Sequence, residues 1–167
     1  MTGSYAFFLH IVGVGLVCTS VLGRWTLERR FRKEDDVKLR LHTTSLIRSI
    51  GLLSPSAVVL LILTGVANII NVFAGTSAAW YSQPWLVTKL VLFAILVVNG
   101  MLPGPLLIKK RDRLLPADTE DAPSGGWQIQ VSHLNKQISW YYLVQSLLIL
   151  SIIYLSAFGS SKHPGFI

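Results

Sequence analysis

The chain has 167 residues, 51% of them hydrophobic and only 14% charged, with a mean hydropathy of +0.54. This composition excludes a soluble globular domain and leaves four apolar stretches near the roughly 20 residues a membrane-spanning helix needs. The net charge of +7 is placed too unevenly to signal nucleic acid: residues 24–48 hold eight Lys/Arg against four Asp/Glu, residues 108–137 hold five against four, and residues 74–84 hold none.

Positive loops stay on the cytoplasmic side. The charge pattern therefore predicts that both termini and the short second loop face outward, as in a protein of the bacterial inner membrane. The expected fold class is all-α, a single four-helix transmembrane bundle over residues 1–167, with spans at about 5–23, 46–73, 85–107 and 138–158. These helices and three loops leave no room for a soluble domain. Its first partner is membrane lipid, with other membrane subunits or further copies of the chain as the expected protein partners.

The first span has no basic stretch before it and no small-x-small cleavage site after it, so it reads as retained rather than as a removable signal. Gly13, Gly15, Cys18, Ser20 and Gly23 make it able to approach a neighbouring helix closely. Cys18 is the only cysteine, which excludes an internal disulfide and a thiolate metal cluster. The segment TLERRFRKEDDVKLRLHTTSL reads as a helical extension at the membrane surface, with a solvated charged face that fixes topology.

The second span carries Ser54, Ala57, Leu61, Thr64, Gly65, Asn68 and Asn71 at three- and four-residue spacing. This small, polar stripe is expected to face the bundle. Pro55 falls in the first turns, where a missing N–H costs least. The loop AGTSAAWYSQP is short, so the second and third spans are expected to be antiparallel neighbours, with Trp80, Tyr81 and Trp85 marking the outer interface.

The third span places Lys89, Leu92, Leu96, Asn99 and Pro103 on one face, and Pro103 and Pro105 end or bend it before KKRDR. LLPADTEDAPSGG is a polar linker. Residues from Trp127 are expected to return along the membrane surface, the fourth span to begin near residues 135–139, and Trp140, Tyr141 and Tyr142 to form the inner aromatic belt.

Two ionisable residues lie inside apolar spans. His10 is about five residues from the outer end of the first span and Lys89 about four from that of the third, so both sit roughly 6–8 Å below the outer boundary. Asn68 and Tyr154 fall at similar depth on the two helices that run the other way. His10, Asn68, Lys89 and Tyr154 are thus the candidate binding residues of one outward-opening pocket, because intramembrane ionisable groups normally face a bundle interior. Lys89 is the candidate catalytic residue; its alternative is to lift its ammonium to the interface. A neutral imidazole in an apolar helix interior suits a haem iron, which makes His10 the candidate metal ligand, and its alternative is a hydrogen-bonded interhelical histidine. His42 and His133 lie at the inner ends of their spans and read as interfacial; His163 is in the tail. The spans show no phosphate loop, no Ser-His-Asp pattern and no HExxH motif.

FLHIVGVGLVCTSVLGRWTLERRF, LIRSIGLLSPSAVVLLILTGVANII and PWLVTKLVLFAILVV together resemble the first three helices of the HemJ-type protoporphyrinogen oxidases and their CopD-like relatives, over about residues 7–107. The resemblance implies four helices, bound haem b, and oxidation of protoporphyrinogen with electrons passing to a quinone or a respiratory chain. It implies that His10 matches the haem-associated histidine, Lys89 the characteristic lysine of the third helix, and Pro55 the proline of the second. The family's oxidases carry a further histidine after the first helix and open the fourth with Asn-Glu-x-Pro; here these regions read RWTLERRF and HLNKQISW, keeping Asn135. Two other readings compete with a haem oxidoreductase. One is a non-catalytic small transmembrane subunit of a respiratory or photosynthetic complex. The other is a metal or solute permease, whose copper form would need Met- and Cys-rich spans that this chain lacks.

Overall fold

The computed structural model describes residues 2–34, 37–74, 79–114 and 127–161. The linker at 115–126 and the tail with His163 lie outside the described residues. The described chain is helical throughout: α1 (Thr2–Phe31), α2 (Val37–Gly51), α3 (Leu53–Phe73), a 3-10 turn (Trp80–Ser82), α4 (Pro84–Met101), α5 (Pro103–Asp112) and α6 (Trp127–Ser161). Four stretches are long and apolar enough to cross a membrane: Tyr5–Phe31, His42–Phe73, Pro84–Asp112 and Ile129–Phe158. The chain is an all-α protein with four candidate transmembrane helices. Their many exposed Leu, Ile, Val and Phe side chains suit hydrocarbon rather than water.

Proline sets both breaks within the spans. Pro55 has no N–H for the carbonyl of Gly51 and its ring crowds that carbonyl, so the helix breaks at Leu52, whose N–H bonds Ser49 O at 3.2 Å. Pro103 acts likewise: α4 ends at Met101, and α5 restarts with proline in its first turn. The third span is therefore bent rather than ended, and α5 carries it on to Asp112.

Successive spans run antiparallel, and two helix pairs dominate the packing. α1 packs on α3, α4 and α5 pack on α6, and α1 and α6 join the pairs. The expectation that the second and third spans form a packed pair is thus replaced by α3 on α1. The cause is shape. A Cβ on Gly13 would lie 2.9 Å from Leu61 Cδ2, so glycine is what lets α1 seat against α3. Lower in the same seam, buried Ser20 meets Ser54 Oγ at 2.6 Å and donates to Ile50 O at 3.2 Å. The expected inward stripe of the second span holds from Ser54 to Asn68, with Ala57, Leu61 and Thr64 buried, and stops before Asn71, which is exposed. Val17, Ala57, Leu61, Leu96 and Ile149 form the core, contributed by four helices.

The fourth span differs most from expectation. α6 is one continuous helix from Trp127, with no separate surface segment. Only Trp140 of the supposed aromatic belt faces outward, at 63% exposure; Tyr141 and Tyr142 are buried, packing with Val21, Trp25, Leu107 and Ile108. Tyr141 lies over Gly104, where a Cβ would come within 2.5 Å of its hydroxyl oxygen. Gln145 donates to Leu96 O and Tyr141 Oη, each at 3.3 Å, and so ties α6 to α4 in the buried interior.

Candidate functional site

The sequence-derived site centres on His10. Its Nδ1 lies 2.9 Å from Thr64 Oγ1 across the α1–α3 seam. Thr64 Oγ1 also donates to Leu60 O at 2.7 Å, one turn back on its own helix. A hydroxyl has a single proton, and that proton is committed to the carbonyl. With its proton on that carbonyl, Thr64 accepts from His10, and the imidazole is then the Nδ1–H tautomer with its lone pair on Nε2. Gly65 flanks the ring, its would-be Cβ lying 3.6 Å from His10 Cε1.

Lys89 is half-buried on α4, and its ammonium lies within electrostatic range of the His10 ring. Asn68 is half-buried on α3, one turn beyond Thr64. Tyr154 lies apart from them: it is 60% exposed, stacks on Phe158 with ring centroids 4.6 Å apart, and borders a shallow groove of about 440 Å³ lined by Leu147, Leu150, Ser151, Tyr154 and Leu155 of α6. His42 and His133 are exposed. Among the described residues no group of three or more His, Cys, Asp or Glu gathers as a metal site.

The donor set at His10 suits one kind of group. A metal-ligating histidine usually donates its second ring N–H to an oxygen acceptor, which fixes the tautomer and the ring's orientation. Thr64 supplies that acceptor here. One imidazole nitrogen with an ammonium in electrostatic range could serve a haem as its single protein ligand and as the counter-charge for a propionate. A zinc ion, which takes three or four protein ligands, would need more donors than the described residues gather there.

A second polar site forms at the opposite end of the bundle, where the sequence suggested only a solvated face. Glu28 and Arg111 are both 0% exposed, and Arg111 Nη1 donates to Glu28 Oε2 at 2.5 Å. Arg111 Nη2 reaches Asp112 at 3.4 Å, and its guanidinium carbon lies 4.3 Å from the Phe31 ring centroid. Arg32 Nη1 donates to Ser139 Oγ at 2.5 Å, and Arg24 sits 5.9 Å from the Tyr142 ring. Burial holds the Arg32 guanidinium below the ordinary arginine value; Glu28 opposes the shift, while Arg111 and Arg29 add to it. Arg24 and Glu28 on α1, and Arg32 one residue past its end with its N–H still bonded to Glu28 O, lie four residues apart and so share one face. That spacing was the available signal, masked by the surrounding run of mixed charge. The first candidate span runs to Phe31 and so includes Glu28.

No family model matches the chain, and no curated protein or solved structure matches it.

Proposed function

We propose that the chain is an integral membrane haem-b protein of the kind its first three helices resemble, an oxidoreductase passing electrons to a quinone or a respiratory chain. The observation that carries this reading is the Leu60–Thr64–His10 hydrogen-bond chain, which engages Nδ1 of an imidazole within a candidate membrane span and so favours Nε2 as the ligand nitrogen. In this reading His10 binds the iron and Lys89 holds a propionate or the substrate carboxylate. Asn68 extends the polar wall, and Tyr154, on the outer face of α6, takes no part in holding the group. The haem supplies one-electron redox chemistry, while the chain supplies the ligand nitrogen, the counter-charge and an apolar surround. The basic loops face the cytoplasm and both termini lie outside, in a bacterial inner membrane.

The test is a pyridine haemochrome spectrum of the purified full-length protein. The expected result is a b-type band in the wild type that is lost in His10→Ala. A wild type without the band, or a band unchanged in the variant, removes the reading.

The apolar groove on α6 favours a second reading. A helix of a larger respiratory or photosynthetic complex would seat against Leu147, Leu150 and Leu155, with Ser151 allowing close approach. Native electrophoresis in mild detergent separates the two, since a lone chain speaks against assembly.

A further inference from the structure

The charge cluster at the basic end of the bundle is unbalanced. Arg32 and Arg111 gather around a single buried carboxylate, Glu28; Arg24 stands one turn before it on α1, with its guanidinium near Tyr142 and Gly51; and Asp112, 29% exposed on the side chain, reaches only Arg111. Arg40 adds a further guanidinium, 5.5 Å from the Phe31 ring, whose own bonds go to Glu34 O. Among the described residues this leaves an excess of positive charge in a largely buried place. A buried cation is tolerated only when paired and hydrogen-bonded.

The unpaired atoms point the same way. Nε of Arg24, Nε of Arg32, Nε of Arg111 and the Tyr142 hydroxyl are all buried without a hydrogen-bond partner. Tyr142 itself is only 1% exposed. These four potential donors outnumber the one unpaired acceptor among the cluster's own charged residues, the buried Glu28 Oε1. Arg32 and Tyr142 each lie within electrostatic range of Glu28 and Arg111, and Arg24 lies against Tyr142, so the donors form one cluster rather than scattered defects.

We propose that this end of the bundle binds a phosphate group, held by Arg24 and Arg32 beside Tyr142, with the Glu28–Arg111 pair as its floor. Guanidinium groups match phosphate oxygens in geometry and charge, and charge-assisted bonds of this kind are the strong ones. The cluster lies where α1 leaves its candidate membrane-spanning stretch at Phe31, the end that a bilayer would bring to its lipid phosphates. The group is a lipid phosphodiester or a free phosphate, which share this chemistry. The site lies roughly 20–33 Å from His10 along the chain's first helix at the helical rise, and its occupancy does not depend on haem.

The full-length protein in neutral detergent is titrated with phosphatidylglycerol, phosphatidylcholine and inorganic phosphate, and the thermal unfolding midpoint is followed. Phosphatidylglycerol is expected to raise the midpoint and phosphatidylcholine to leave it unchanged. Stabilisation by phosphatidylglycerol alone identifies a lipid site; stabilisation by inorganic phosphate as well identifies a site for the phosphate group from either source. Arg24→Gln and Arg32→Gln are each expected to weaken the response roughly tenfold, the scale of one hydrogen bond to a charged group. Lys109→Gln/Lys110→Gln, which removes exposed charges on α5, is expected to keep it. If neither anion stabilises the wild type, or if the lysine variant loses as much as the arginine variants, the proposal is overturned. The wild-type arm decides the matter even where an arginine variant does not fold.

Discussion

Glu28→Gln is the sharpest single perturbation of the fold. Glu28 and Arg111 are fully buried and in contact at 2.5 Å. With their charge centres about 4 Å apart, an effective dielectric of about 20 gives an attraction of about 4 kcal/mol. Losing it while Arg111 stays buried should cost about 3–5 kcal/mol, the usual penalty for breaking a buried pair from one side. Asp112 can recover little of this, because its 3.4 Å contact is partly exposed to solvent. The double variant Glu28→Met/Arg111→Met removes both charges and fills the space, so it should lie well above the single variant in stability. Unfolding in mixed micelles of increasing sodium dodecyl sulfate content, followed by tryptophan fluorescence, measures all three proteins. Trp25 packs beside the cluster and reports its opening. A cost below about 1 kcal/mol for Glu28→Gln, or a double variant as unstable as the two singles summed, would refute the buried-pair reasoning.

Three further outcomes follow from the same geometry. Gly104→Ala should cost about 1–3 kcal/mol in the same unfolding assay, because its methyl would press on the buried Tyr141 ring, and Tyr141→Ala in the same chain should recover part of the loss. Thr64→Val removes the acceptor that fixes the His10 tautomer and should weaken haem retention by about 10–100-fold, read from the haem-to-protein ratio after detergent washing. In a Cys18→Ser background, a cysteine in place of exposed Tyr81 should react with a membrane-impermeant maleimide from outside the cell, and one in place of Lys109 should not; the reverse pattern would invert the topology.

The sequence carried the spans because hydropathy is a property of whole segments: four apolar stretches near the thickness of a bilayer allow few other folds. It also brought His10 and Lys89 to one level of the bundle, since position along a helix can be counted in residues. Pairing between helices was less legible. The short loop at residues 74–84 suggested contact between the second and third spans, yet Gly13 and Ser20 give α1 the better fit to α3. Tyr141 and Tyr142 resembled an interfacial belt because aromatic residues near a span end usually are one. Their burial depends on Gly104 of a different helix, a partner that local pattern does not reveal. Glu28 was read as solvated because charge-rich segments usually are; its partner, Arg111, lies 83 residues away in the chain. The role of Thr64 was visible only as one position in a polar stripe, since the tautomer depends on where its hydroxyl proton goes.

The most direct measurement is resonance Raman spectroscopy of the reduced full-length protein, in the wild type and in His10→Gly with and without added imidazole. The expected result is an iron–imidazole band in the wild type, its loss in His10→Gly, and its return when free imidazole enters the vacated position. A protein that binds no haem, or a band indifferent to His10→Gly, would contradict the assignment of His10 Nε2 as the ligand.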